Sequence, residues 1–143
     1  MSKPINSRVK GSSYENELCR LFREEFGIAS LRRRLSQTQD PLEGDIFLEP
    51  FLCEAKRYKQ GNWFRPEWWV QCKAAAAKHN AIPLLCYRFD RQPTRMVFPL
   101  FAVNSAWAVE NSDQYSWPVE GDAMRPLVCD EATGLALIRE WLL

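Results

Sequence analysis

Glu54 and Lys56 lie two residues apart in Phe51-Leu52-Cys53-Glu54-Ala55-Lys56, a run that reads as a strand. Side chains of a strand alternate faces, so the carboxylate and the ammonium group emerge together while Cys53 and Ala55 turn the other way. Gly44-Asp45-Ile46-Phe47-Leu48 reads as the preceding strand and Glu49-Pro50 as the turn between them. Strands joined this tightly form an antiparallel hairpin, which sets Asp45 approximately opposite Glu54. Two carboxylates a few ångströms apart repel, and a divalent ion between them removes the repulsion while gaining oxygen ligands. The backbone carbonyl of Ala55 is a further donor. Such an ion on a phosphodiester polarises a phosphoryl oxygen, lowers the pKa of a bound water and neutralises charge on the leaving oxygen. Lys56 is placed to orient or help deprotonate the attacking water, or to stabilise the transition state. Each residue also has a plainer reading: Asp45 as a turn carboxylate after Gly44, and Glu54 with Lys56 as an exposed ion pair on a strand edge.

The elements that position these residues follow from periodicity. Residues 1–10 are polar and basic, and are expected to form a flexible arm before a single domain over 11–143. Ser12 or Ser13 caps a helix, with Ser12 and Glu15 at capping-box spacing. Its apolar face is Tyr14, Leu18, Leu21, Phe22 and Phe26, and Gly27 ends it. Glu17, three residues after Tyr14 and four before Leu21, borders that face; the plainer reading is a solvated helix residue. A short strand is expected near residues 28–33, then a polar loop through Asp40 and Pro41. Pro66 suits the first position of a helix through Gln71 and the Ala74 to Ala77 run to Lys78, with Trp68 and Trp69 expected in the core. Ile82 to Phe89 and Arg95 to Val103 read as strands, the former central and covered on both faces. The pattern weakens from Asn104 to Asp130, where Trp107 and Trp117 are expected to pack onto the domain. A last helix is expected from about Glu131 to Leu142, with Gly134 counting against it. Together these elements make an α/β domain with a small mixed central sheet flanked by helices.

Composition narrows the chemistry. The 143 residues are 46% hydrophobic and 26% charged, which excludes a disordered or fibrous chain. The five cysteines form no CxxC and read as free thiols, and His79 is the single histidine. A zinc site is thereby excluded, and any metal chemistry falls to carboxylates, which prefer hard ions such as magnesium or manganese. No apolar run is long enough to span a bilayer, and Met1-Ser2-Lys3-Pro4 lacks the apolar core of a signal peptide, so a cytoplasmic location is expected, with no membrane partner. The net charge of +1 hides an asymmetry. Residues 1–80 hold 14 Lys and Arg against 10 Asp and Glu, whereas residues 81–143 hold 5 against 8. A basic half that also carries the informative carboxylates suits a polyanion bound beside an acidic metal site.

With these residues in place, the chain resembles the PD-(D/E)XK nuclease superfamily, especially its Holliday-junction-resolvase-like and phage branches. The resemblance is carried by Gly11-Ser12-Ser13-Tyr14-Glu15-Asn16-Glu17-Leu18, Gly44-Asp45-Ile46, Glu54-Ala55-Lys56 and Trp69-Val70-Gln71, and is strongest over residues 11–90. It implies a restriction-endonuclease-like core and divalent-metal-dependent hydrolysis of DNA, with Mg2+ as the ion and Mn2+ as its substitute. Carried over by match, Asp45 and Glu54 are metal ligands, Lys56 is the catalytic lysine, Glu17 is an additional acidic residue near the metal, and Gln71 completes the site from the following helix. Asp45 follows glycine where proline is the family's pattern, and Asp40 before Pro41 is the less suitable ligand because it does not abut the apolar strand.

Arg32, Arg33 and Arg34 precede the hairpin, and Arg57, Lys59 and Arg65 follow it; on a sheet edge and loop they would grip phosphates by salt-sensitive attraction. Tyr58, Trp63 and Phe64 are interleaved with the second set, either stacking on an unpaired base or covering the core beneath a loop. No base-reading helix, zinc module or RNA-binding sheet is signalled, so backbone geometry is expected to dominate recognition. A symmetric branched DNA needs two active sites, hence a homodimer, with Phe98, Phe101 and Trp107 either at its interface or in the core. The readings left open are a junction resolvase, a nuclease cutting flap, nicked or duplex DNA, and a non-catalytic DNA-binding module.

Overall fold

A computed structural model describes residues 7–27, 46–104, 110–111, 114–115, 117–118 and 120–142. The first helix, α1, runs Ser7–Phe26. It starts ahead of the expected Ser12 or Ser13 cap, so residues 7–10 of the expected arm are helical. The strand expected near residues 28–33 and the loop through Asp40 lie outside the described residues. The hairpin then forms as expected: β1, Ile46–Leu48, pairs antiparallel with β2, Phe51–Tyr58, in the register Ile46 to Cys53 and Leu48 to Phe51. The helix α2, Pro66–Lys78, begins at its proline and carries the chain to β3, Ile82–Phe89, which lies parallel to β2. A parallel neighbour requires such a crossover.

Strand β4, Arg95–Pro99, ends earlier than its apolar run, and Leu100–Ala102 turns as a short 3-10 helix. Two minimal strands, β5 (Glu110–Asn111) and β6 (Gln114–Tyr115), make a separate hairpin. The last strand, β7 (Pro126–Asp130), lies in the weakly patterned region and pairs antiparallel with β4. The order β1-β2-β3-β4-β7 puts β3 at the centre of a mixed sheet, as its continuous apolar run predicts. The final helix, α3, spans Glu131–Leu142. Its start is capped by the Asp130 carboxylate, which accepts the Thr133 backbone N–H at 2.7 Å.

Helices α1 and α3 cover one face of the sheet and α2 the other. On the first face Tyr14, Leu18 and Phe22 of α1 and Ile138 of α3 pack with Phe51, Cys53, Leu84, Cys86 and Phe98. On the second, Trp68, Trp69 and Cys72 of α2 meet Leu85, Tyr87, Phe89 and Val97, while Ala76 meets Leu52. Both tryptophans are buried, as expected, and the Trp69 indole N–H donates to the Met124 carbonyl at 3.1 Å. Phe98 and Phe101 are fully buried, which places them in the core and removes them as candidates for a dimer interface. Trp107 lies outside the described residues. Trp117 stacks on Phe101 at 5.9 Å, as its expected packing role requires.

Gly134 sits inside α3 for a packing reason. A Cβ there would come within 2.4 Å of the Met96 sulfur and 3.0 Å of its Cβ on β4, so the glycine lets the helix approach the sheet. Glycine to alanine in a helix interior ordinarily stabilises by about 1 kcal/mol. Gly134→Ala is expected instead to destabilise by about 1–3 kcal/mol through overpacking, read as a lower urea midpoint; an unchanged or raised midpoint would contradict the close approach.

Candidate active site

The site starts from the alternation along β2. Phe51, Cys53 and Ala55 face α1, and Leu52 faces Ala76 of α2, so Glu54, Lys56 and Tyr58 emerge on the α2 face. The parallel register sets Glu54 beside Leu85 and Lys56 beside Tyr87. Both neighbours are buried apolar or aromatic residues. Glu54 is 7% exposed, which rules out the exposed strand-edge reading. Its Oε1 lies 3.3 Å from the Lys56 Nζ. Burial pushes the Glu54 carboxyl up from its ordinary value of 4.5, and the adjoining Lys56 ammonium offsets part of that rise.

A desolvated carboxylate with an ammonium group 3.3 Å away is a hard, oxygen-only donor. That chemistry suits a divalent ion such as magnesium. The Ala55 carbonyl lies on the same strand. Asp45 lies outside the described residues; the described hairpin begins with Ile46 opposite Cys53. Among the described residues no group of three or more metal-ligating side chains converges.

The remaining candidates are distributed over both faces. Gln71 is exposed on α2. Glu17 is half exposed on α1 and pairs with Arg88 at 3.7 Å. Arg88 alternates with Leu84 and Cys86 on the α1 face, so Glu17 and Glu54 occupy opposite faces of the sheet. Glu15, by contrast, is only 9% exposed. It precedes the core residues Leu18 and Cys19 by three and four positions, the spacing that marks the buried stripe of a helix. That spacing was available in the sequence and singles out Glu15 over Glu17 as the buried acid of α1.

Among the basic residues, Arg57 bonds the Asp90 carboxylate at 2.5 Å and donates to the Tyr58 carbonyl at 2.9 Å, tying the end of β2 to the turn after β3. Lys59 and Arg65 are exposed on the following loop. The Arg65 guanidinium lies 5.1 Å above the Tyr58 ring and 5.5 Å above that of Trp68. Arg32, Arg33 and Arg34 lie outside the described residues.

Comparison with known proteins decides the family. A family model described as "Phage putative PDDEXK endonuclease" matches residues 6–119. The chain belongs to this family. Membership makes it a nuclease, with DNA as the substrate the family implies and divalent metals as the ions that PDDEXK nucleases generally use. No curated protein and no solved structure matches the chain significantly. Among the described residues no helix is long and apolar enough to cross a membrane.

The buried Glu54 carries a linkage consequence. Its folded pKa is raised above the unfolded value by desolvation. The folded state therefore binds the proton more tightly, and the stability this contributes is complete below about pH 4.5 and declines as pH rises through the folded pKa. In metal-free protein, Glu54→Gln should gain stability relative to the parent as pH increases from 4 to 8, measured by urea unfolding at several pH values. A gain that shrinks with rising pH would mean that Lys56 overcompensates the burial.

Proposed function

We propose that this nuclease is a divalent-metal-dependent endonuclease hydrolysing DNA phosphodiesters at branched structures, of the Holliday junction resolvase kind. The observation that carries the chemical part is the buried Glu54 carboxylate 3.3 Å from Lys56 on one face of β2. Glu54, the Ala55 carbonyl and Asp45 would hold the ion, Mg2+ or Mn2+. When bound, that ion supplies Lewis acidity at a phosphoryl oxygen and a more acidic water. Glu54 also holds Lys56. An ammonium group has three donors and no acceptor, so beside the scissile phosphate it orients the attacking water and offsets charge on the equatorial oxygens. Both α1 acids, the buried Glu15 and the half-exposed Glu17, lie across the sheet from Glu54, and neither is assigned to the ion in this reading. Gln71, on the helix covering the same face as Glu54, is retained as a polar residue at the site margin.

Recognition falls to backbone contacts. Lys59 and Arg65, exposed after β2, and Arg32 to Arg34 would neutralise phosphates on either side of the cut. Arg57 is already committed to Asp90 and serves to hold the loop rather than the DNA. A symmetric four-way junction presents two equivalent scissile phosphates, so two copies of the chain would act together as a homodimer.

The test is cleavage of labelled four-way junctions, flaps, nicked and linear duplexes with Mg2+ or Mn2+. Paired symmetric cuts near the crossover support the resolvase reading, and equal cutting of all four substrates removes it. Glu54→Gln and Lys56→Met should each lower cleavage by at least about 100-fold while leaving the circular dichroism spectrum unchanged. Parental rates in both variants would overturn the site assignment. Independently of activity, Mn2+ should raise the thermal midpoint of the parent and leave that of Glu54→Gln unmoved.

A further inference from the structure

The loop leaving β2 holds an aromatic residue that the catalytic reading does not use. Trp63 is 58% exposed, the most exposed large aromatic among the described residues. Its neighbours are packed. Tyr58 stacks on Trp68 with centroids 5.0 Å apart and rings 13° from parallel, and Phe64 tilts against Tyr87 at 6.0 Å. The loop itself is fastened to the sheet. Gly61, at φ +146°, lies so close to the Phe89 ring that a Cβ would fall 2.4 Å from it, and the Gln92 amide donates to the Gly61 carbonyl at 2.8 Å. Trp63 is thus presented to solvent by an anchored loop, supported on one side by the Phe64 ring at 5.5 Å.

An exposed indole forfeits the free energy that burial would give, and its surroundings indicate what recovers it. The charged residues of the loop, Lys59 and Arg65, are both basic and exposed, and 59–65 contains no acidic residue. A cationic loop bearing a free aromatic face is complementary to a polyanion with flat rings, and stacking on a nucleobase requires that the base be unpaired or at a break in the stack. We propose that Trp63 is a stacking platform for an unpaired DNA base beside the scissile phosphate, with Lys59 and Arg65 on the flanking phosphates. This names the distorted DNA substrate of the Glu54 and Lys56 site and rests on the nuclease reading of that site.

The experiment is a fluorescence anisotropy titration of the full chain, in the Glu54→Gln background without metal, against a labelled single strand, a duplex with a central bulge and an intact duplex. Trp63→Ala should weaken binding to the first two about tenfold and leave the intact duplex unchanged. Trp63→Phe should restore most of the loss. The dependence of affinity on salt should stay the same, because no phosphate contact is removed. No loss on any probe, or an equal loss on all three, overturns the platform. So does a Trp63→Ala protein that changes from dimer to monomer by light scattering, since Trp63 would then serve a second copy of the chain. Cleavage by the parent chain, assayed in parallel, separates the two claims. Trp63-dependent binding without cleavage supports the platform and overturns the nuclease reading of the site, whereas cleavage without Trp63-dependent binding overturns the platform alone.

Discussion

A carboxylate that is 7% exposed between apolar neighbours must either be neutralised or be answered by a positive charge. In this protein the answer comes from two residues along the same strand, because alternation in β2 brings Lys56 onto the face that holds Glu54. The pair contributes little that the fold requires. Buried ion pairs are often no more stabilising than apolar residues of the same volume, and the surrounding face of Trp69, Cys72, Leu85 and Tyr87 could close over such residues. What the pair does provide is a strong acceptor and a strong donor held a fixed distance apart on a rigid sheet. The rest of the architecture preserves that arrangement. The parallel union of β2 and β3 fixes the face, and α2 bridges the two strands and covers that face.

Much of this arrangement was legible in the sequence because it is written locally. The tight Glu49-Pro50 connection determines the hairpin register, Pro66 marks the first position of α2, and the uninterrupted apolar run of β3 places it centrally. The features that were missed depend on tertiary partners. Strand β7 begins with Pro126 and is only half buried; as an edge strand it needs neither alternation nor a complete set of donors. Gly134 argues against a helix by propensity, yet it is required where α3 meets Met96. Phe98 and Phe101 could have been interface or core by composition, and only the packing of both helices on that face shows that they are core.

Glu15 and Glu17 illustrate a finer difference. Both lie near the apolar stripe of α1, and counting from Tyr14 and Leu21 sets Glu17 at its border. The helix is in fact seated on Tyr14, Leu18, Cys19 and Phe22, with Leu21 only partly buried. That rotation carries Glu15 inward and Glu17 out to Arg88. A small difference in helix rotation, legible when the count runs back from Leu18 and Cys19, exchanges a buried acid for a solvated one.

Basic residues in a sequence are likewise not equivalent to positive charge available to a ligand. Arg57 and Arg88 pair across the register of β2 and β3, yet one is bound to Asp90 and the other to Glu17. Two like charges side by side on adjacent strands would repel, and each is stabilised by its own carboxylate. Their positive charge is therefore spent within the α1 face. On the α2 face, Arg65 is exposed and is positioned by the Tyr58 and Trp68 rings, which suits its planar donors to a phosphate. The loop after β2, which leaves the strand of Glu54 and Lys56, thus offers two exposed basic groups, Lys59 and Arg65, to a polyanion.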